Sequence, residues 1–136
     1  MAGYLVTGAA GFIGSHLVRA LESSGAKVHG VDVVSGRPHA AVTADVTDSE
    51  RMRAVFDEIR PEKVFHLAAI GGVRASVDEP LPYVRTNVLG SANVLEFARK
   101  AGVRKVVLVS SSSVYGDAPR QPLSEDMACI EPLSPY

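Results

Sequence analysis

Three glycines, Gly8, Gly11 and Gly14, stand between a short apolar run and an amphipathic segment near the start of the chain. The run from Tyr4 to Thr7 is apolar and β-prone, which is typical of a buried strand. The segment FIGSHLVRALESSG has apolar residues at helical spacing and ends at Gly25, a residue type that commonly follows a helix. The sequence therefore predicts a strand, a glycine turn and a helix whose N-terminus can hold an anionic group.

Strand-like and helix-like segments alternate along the rest of the chain. Strands are predicted at 27–33, 41–46, 63–69 and 104–112, and helices at 47–59 and 80–101. This alternation predicts an α/β fold, a Rossmann-like doubly wound parallel sheet with helices on both faces. Residues 114–136 carry four prolines and no clear periodicity. We expect them to form a loop over the C-terminal edge of the sheet, where such folds bind ligands.

Composition excludes several classes of protein. The 136 residues suffice for one domain, 1–136, and 46% of them are hydrophobic. A net charge of −1 gives no reason to expect nucleic acid as a partner, and no apolar run is long enough to cross a membrane. The four histidines lack metal-binding spacing, so no metal is expected. The single Cys129 fits a reducing, cytoplasmic location.

An acidic residue follows the glycine turn at the spacing of a dinucleotide site. Asp32 ends the second predicted strand, about 20 residues after the turn. Its carboxylate can accept hydrogen bonds from an adenosine ribose and would repel a 2′-phosphate, so NAD is the expected cofactor. Arg37 is close enough in sequence to leave NADP open.

The motif TGAAGFIGSHL, with its Gly-x-x-Gly-x-x-Gly spacing, resembles the short-chain dehydrogenase/reductase superfamily. It looks most like the extended branch, the NAD-dependent epimerase/dehydratase family of nucleotide-sugar enzymes. The segments ADVTD, HLAA, NVLGSANVLE and VSSSSVYGD continue the resemblance along nearly the whole chain. Beyond the three glycines and Asp32, the resemblance implies these cofactor contacts: Phe12, Ile13, Asp45, Val46, Leu67, Ala68, Ala69, Asn87 and Val109.

The same resemblance implies a catalytic serine and tyrosine. Ser111 lies four residues before the tyrosine of VYG, and Tyr136 matches the tyrosine of the family's SPYGxSK-like segment. The lysine expected four residues after Tyr136 lies beyond this chain. We therefore expect an N-terminal fragment without the last strands and the C-terminal substrate domain, inactive by itself.

The expected reaction is epimerisation at C4 of a UDP-sugar, glucuronate or glucose, through a transient 4-keto intermediate. Dehydratases of the family carry an Asp-Glu pair where this chain has Ser112 and Ser113, which disfavours 4,6-dehydration. These serines and Arg74 are candidate substrate contacts. Other reactions of the family on a nucleotide-sugar, namely dehydration, reduction or decarboxylation, and a non-catalytic dinucleotide sensor or scaffold remain alternatives. Only 12 residues separate Asp32 from Asp45, which predicts an open adenine pocket.

Two features predict self-association. The helix predicted at 80–101 resembles the one that pairs across family dimers, although its apolar stripe equally suits packing on the sheet. The stripe consists of Leu81, Val84, Val88, Ala92, Leu95 and Ala98. The fifth predicted strand would end the sheet with an open edge, which favours pairing with another copy.

Overall fold

The sheet has five parallel strands in the order β3-β2-β1-β4-β5. A computed structural model describes residues 3–117, 122–129 and 131–136. The strands are β1 (Tyr4–Thr7), β2 (Val28–Asp32), β3 (Val42–Thr43), β4 (Lys63–His66) and β5 (Lys105–Leu108). The central strand β1 pairs with β2 on one side and with β4 on the other, and all four pairings are parallel. The predicted Rossmann-like α/β fold is confirmed.

Helices connect β1 to β2, β3 to β4 and β4 to β5, whereas a loop at 33–41 connects β2 to β3. The helices are α1 (Phe12–Ser23), α2 (Ser49–Ile59), α3 (Val73–Asp78), α4 (Pro80–Tyr83) and α5 (Ser91–Lys100). A π-helical segment, Val84–Gly90, joins α4 to α5, and a 3-10 turn covers Ser112–Tyr115. Helix α2 begins after Asp48, whose carboxylate accepts a hydrogen bond from the Arg51 amide and so caps the helix.

The core lies on both faces of the sheet because successive strand residues point to opposite sides. On one face Leu5, Val31 and Val64 pack against buried residues of α2 and α5. On the other face Val6 packs against Val18 of α1. Helices therefore cover both faces, and the ends of the strands are left free for loops.

Strand β1 has its predicted bounds, and the other four strands are shorter than predicted, chiefly because each of those segments continues into a loop of the ligand-binding edge. The third strand shrinks to two residues, and the HLAA motif leaves the sheet at His66. The predicted helix 80–101 is helical from Pro80 to Lys100, but it is not α-helical throughout. Its middle seven residues, Val84–Gly90, form wider π-helical turns. Helix α3 and the 3-10 turn had no prediction, because both are too short to show periodicity.

The edge strand β5 exposes apolar side chains. Val107 is 36% exposed and Leu108 is 50% exposed, and β5 pairs only with β4 among the described residues. Unpaired backbone groups beside exposed apolar side chains form a template for association with another chain.

We predict that the chain forms high-order aggregates whose proportion rises with concentration, and that Val107→Lys lowers this proportion. Light scattering after size exclusion measures it. Val77→Lys is the matched control, because Val77 is also an exposed valine but lies on α3. One discrete mass at every concentration, unchanged by Val107→Lys, would contradict the prediction.

Candidate functional site

A cleft runs along the C-terminal ends of the strands. It consists of two adjoining cavities of about 370 and 390 Å³. The cavities share the wall formed by Leu67, Ala68 and Ala69, which directly follow β4. The first cavity lies over β1, β2 and β3, and the second extends over β4 and β5.

The glycine turn forms the floor of the first cavity, which Gly8 and Gly11 line. Gly14, on the first turn of α1, is buried behind the loop, where an added Cβ would lie 2.0 Å from the Gly8 carbonyl oxygen. Helix α1 therefore packs closely against the end of β1. No side chain caps its N-terminus and no acidic residue stands in its first turn. Its first N–H groups are available to an anion.

Asp32 stands at the rim of the first cavity with its carboxylate held by the backbone. The Ala10 amide donates to Oδ2 at 2.9 Å, and the Val34 amide donates to Oδ1 at 3.1 Å. Each carboxylate oxygen can accept more than one hydrogen bond. The side chain is therefore fixed in orientation and can still accept hydrogen bonds from ligand hydroxyls.

The loop after β3 closes the side of the first cavity. Asp45 and Val46 both line it, and the Asp45 carboxylate accepts a hydrogen bond from the Thr47 amide at 2.8 Å. Val33, opposite, also lines the cavity and is exposed. The short connection between Asp32 and Asp45 therefore leaves this end of the cleft open to solvent.

Asn87 lies in the wall of the second cavity and bonds to the loop after β4. Its Oδ1 accepts from the Ile70 amide at 2.8 Å, and its Nδ2 donates to the Ile70 carbonyl at 2.9 Å. One side-chain amide thus satisfies both backbone groups of one loop residue.

The second cavity brings together Ser111, Tyr136, Ile13 and Val109. The Ser111 Oγ accepts from the Ser113 amide at 3.2 Å and caps the 3-10 turn. The backbone of Tyr136 is held by the buried Ser76, whose Oγ accepts its amide hydrogen at 3.2 Å. A hydroxyl and a phenol are therefore present in a cavity continuous with the one beside Asp32.

A sequence profile of the NAD dependent epimerase/dehydratase family matches residues 4–136. The UDP-glucose 4-epimerase of Mycolicibacterium smegmatis is 48% identical over 97% of this chain and 46% of its own length. The UDP-glucuronate 4-epimerase of Thermodesulfobacterium geofontis is 37% identical over 98% of this chain and 46% of its own. The chain belongs to the NAD-dependent epimerase/dehydratase family.

Solved structures of family members share the fold. The UDP-glucose 4-epimerase of Brucella ovis in complex with NAD superposes with a TM-score of 0.92 at 33% identity, over all of this chain and 43% of its own. The Thermotoga maritima enzyme with UDP-glucose gives 0.89 at 39% identity, over 98% of this chain and 46% of its own. The chain thus spans somewhat under half the length of the relatives it matches.

Some predicted site residues of this family member lie outside the two cavities. Phe12 is 83% exposed at the start of α1, and Arg74 is exposed on α3. Ser112 lines a third, shallower pocket beside Tyr115, which adjoins the second cavity at Ser110, Ser111 and Val114, and Ser113 lines none of the three. The roles of these four residues, like those of the other predicted site residues, stay predictions.

The structure adds a buried polar chain that sequence analysis missed. His66 Nδ1 lies 2.6 Å from the Thr7 Oγ1, and His66 Nε2 lies 2.9 Å from the Ser91 Oγ. The Thr7 Oγ1 also accepts from the Ala68 amide at 3.2 Å. The contact between Thr7 and His66 had a signal in the sequence, since both are polar residues at the ends of predicted strands. The contact between His66 and Ser91 had none, because Ser91 lies on a helix 25 residues further along the chain.

Among the described residues, no group of histidine, cysteine, aspartate and glutamate side chains could hold a metal ion. Within the same ranges, no helix is both long and apolar enough to cross a membrane.

Burial lowers the pKa of His66 to about 4. Unfolding exposes the imidazole, which then takes up a proton below about pH 6.5. Because the unfolded state binds more protons, we predict that stability falls as the pH falls from about 6.5 towards 4. The full loss from this one residue is about 3 kcal/mol.

Urea denaturation at several pH values tests this prediction. His66→Gln should flatten the pH dependence over that range, whereas His16→Gln, at an exposed position on α1, should leave it unchanged. If His66→Gln fails to fold, an NMR titration of the wild-type histidine supplies the same answer. A His66 that titrates above pH 6, or equal pH dependence in all three proteins, would contradict it.

Proposed function

We propose that this chain is the N-terminal, cofactor-binding part of a NAD-dependent UDP-sugar 4-epimerase, with Tyr136 as its catalytic tyrosine. The observation that carries the proposal is the continuous cleft with Asp32 at one end and Ser111 and Tyr136 at the other. Membership of the family and the 4-epimerase names of the matched relatives support it. The exposed, free Cys129 fits a reducing compartment such as the cytoplasm.

The residues of the first cavity fit a dinucleotide. The uncapped N-terminus of α1 offers N–H groups to a pyrophosphate, and Asp32 retains acceptor capacity for ribose hydroxyls. Asp45 and Val46 line the side on which the adenine would lie. When bound, the cofactor supplies the redox chemistry, by taking up and returning a hydride.

The second cavity supplies the groups that would handle the sugar hydroxyl. Ser111 would hydrogen-bond the 4-hydroxyl and hold it in line. Tyr136 would accept its proton as general base and return it after the ring has turned. An ordinary tyrosine is protonated at neutral pH, so this role needs a nearby cation. In this family that cation is expected from a lysine four residues further on, so we expect the 136-residue chain alone to be inactive.

A non-catalytic dinucleotide sensor is the second candidate, favoured by the positions of Arg74 and Ser113 outside the cavities. The coding sequence beyond Tyr136 separates the two: a lysine codon four residues on supports the enzyme, and any other codon supports the sensor. Assays of the encoded protein with UDP-glucose and UDP-glucuronate would then identify the sugar.

We predict that the chain binds NAD⁺ and that Asp32→Asn weakens this binding by about 10- to 100-fold. The variant loses a charge-assisted hydrogen bond, which typically contributes about 1.5–3 kcal/mol. It should also reduce the preference for NAD⁺ over NADP⁺, because a neutral side chain no longer repels a 2′-phosphate.

Calorimetric titration with each cofactor measures both effects, after intact mass has confirmed a chain of 14.3 kDa. Asp57→Asn is the matched control, since Asp57 is exposed on α2. Absence of NAD⁺ binding by the wild type, or a wild-type preference for NADP⁺, would overturn the proposed cofactor site.

We also propose that two copies pair through the helical stretch 80–100. Most of its apolar stripe is exposed, with Leu81 at 78% and Val88 at 62%, rather than packed on the sheet. Of the stripe, Ala98 is buried; the other buried contacts with the sheet come from Val94 and Phe97, outside the stripe. The stripe is therefore available to an identical stripe on a second copy.

We predict that Val107→Lys, with its edge strand blocked, is a dimer by light scattering, and that adding Val88→Glu makes it a monomer. A buried carboxylate without a partner opposes association. A Val107→Lys protein that is monomeric at high concentration would contradict the proposed dimer.

A further inference from the structure

The two walls of the cleft come from strands that do not touch. The loop at Asp45–Val46 follows β3, and the loop at Leu67–Gly71 follows β4. Strands β2 and β1 lie between β3 and β4 in the sheet. Strand pairing alone therefore does not fix the distance between the two loops, because each is free to bend beyond the last paired residue.

The helical stretch 84–100 bonds to both loops. Asn93 Nδ2 donates to the Val46 carbonyl at 2.9 Å. Asn87, six residues earlier, holds the Ile70 amide and carbonyl at 2.8 and 2.9 Å. These bonds join one rigid element to the main chain of both cleft walls.

The contact with Val46 depends on a close approach of the helix. Gly90 is buried against Val46, and an added Cβ there would lie 2.6 Å from Val46 Cγ2. The absent side chain lets the helix backbone approach closely enough for Asn93 to reach the carbonyl. Val46 is thus held twice, by packing against Gly90 and by the hydrogen bond from Asn93.

The π-helical geometry lies at this same place. Asn87 is in the middle of the segment Val84–Gly90, whose turns are wider than those of an α-helix. Such segments are frequent at functional sites. Ser91, the first residue of α5, adds a third attachment through its contact with His66 at the end of β4.

We propose that Asn87 and Asn93 are positioning residues that together set the width of the cofactor cleft. Asn93 fixes the wall beside the adenosine half, because Val46 lines only the first cavity. Asn87 fixes the loop where the two cavities meet, because its partner Ile70 lines only the first cavity, whereas Asn87 and Gly71 line only the second. The inference rests on the proposed function, since it assigns the two cavities to the two halves of NAD.

The test compares two ligands on the 136-residue chain. ADP-ribose carries the adenosine half and the diphosphate, and NAD⁺ adds the nicotinamide. Asn93→Asp should weaken both by the same factor, about fivefold for one lost positioning hydrogen bond. Asn87→Asp should weaken NAD⁺ by about fivefold and ADP-ribose by a smaller factor, because the loop that Asn87 holds borders both cavities. Both changes preserve side-chain size while removing the amide donor.

Glu96→Gln is the control, because Glu96 lies on α5 and pairs with Arg99 and Lys100 at the surface. It should change neither affinity. Hydrogen exchange supplies a readout that requires no ligand: Asn87→Ala should speed exchange of the Ile70 amide and leave the Thr47 amide unchanged. Asn87→Ala also replaces Asn87→Asp if the latter fails to fold, and Asn93→Ala replaces Asn93→Asp.

The outcomes separate the inference from the function on which it rests. If the wild type binds both ligands but the two asparagine variants shift their affinities in the same ratio, the positioning assignment is overturned and the proposed function stands. If the wild type binds neither ligand, the proposed function falls and the inference falls with it.

Discussion

The close packing of α1 on the end of β1 is the contact on which the rest of the cleft depends. Gly14 lies so close to the Gly8 carbonyl that no side chain fits between them. This approach aims the N-terminus of α1 into the cleft and leaves its N–H groups uncapped. It also brings the Ala10 amide to the Asp32 carboxylate, which joins the turn after β1 to the end of β2. A larger residue at Gly14 would move the helix and the turn together.

The helical stretch 80–100 serves two purposes with different faces. Its inner face packs Val94 and Phe97 on the sheet and carries the asparagines that reach the cleft loops. Its outer face exposes Leu81 and Val88. An element that both supports a ligand site and presents an apolar surface can couple assembly to the geometry of that site, since contacts on one face limit the movement of the other.

Features encoded by neighbouring residues could be predicted from the sequence. The Asp48 cap and the glycine turn depend on residues within a few positions of each other, and the alternation of elements depends on periodicity. The position of Asp32 at the cleft was also predictable, because it depends on the place of Asp32 at the end of a strand. The remaining candidate site residues were predicted because the segments that contain them resemble motifs of the family.

Features that depend on contacts distant in sequence could not be predicted. Asn93 reaches Val46 across 47 residues, and Thr7 meets His66 across 59. The π-helical segment has the same apolar spacing as an α-helix, so its wider turns leave no trace in the pattern. The stripe of 80–101 was ambiguous for a related reason: spacing shows that a face is apolar but does not show what covers it.

The side chains around the cleft have a consequence for how an anionic ligand would be recognised. No lysine or arginine lines either cavity within the described part of the chain, and the first cavity contains two carboxylates, Asp32 and Asp45. Attraction for phosphates therefore rests on the oriented dipoles of backbone N–H groups, which act at short range. Dissolved salt mainly weakens interactions between separated full charges. A site of this kind recognises the shape of a diphosphate at contact rather than drawing it in from a distance, and its affinity should depend little on ionic strength.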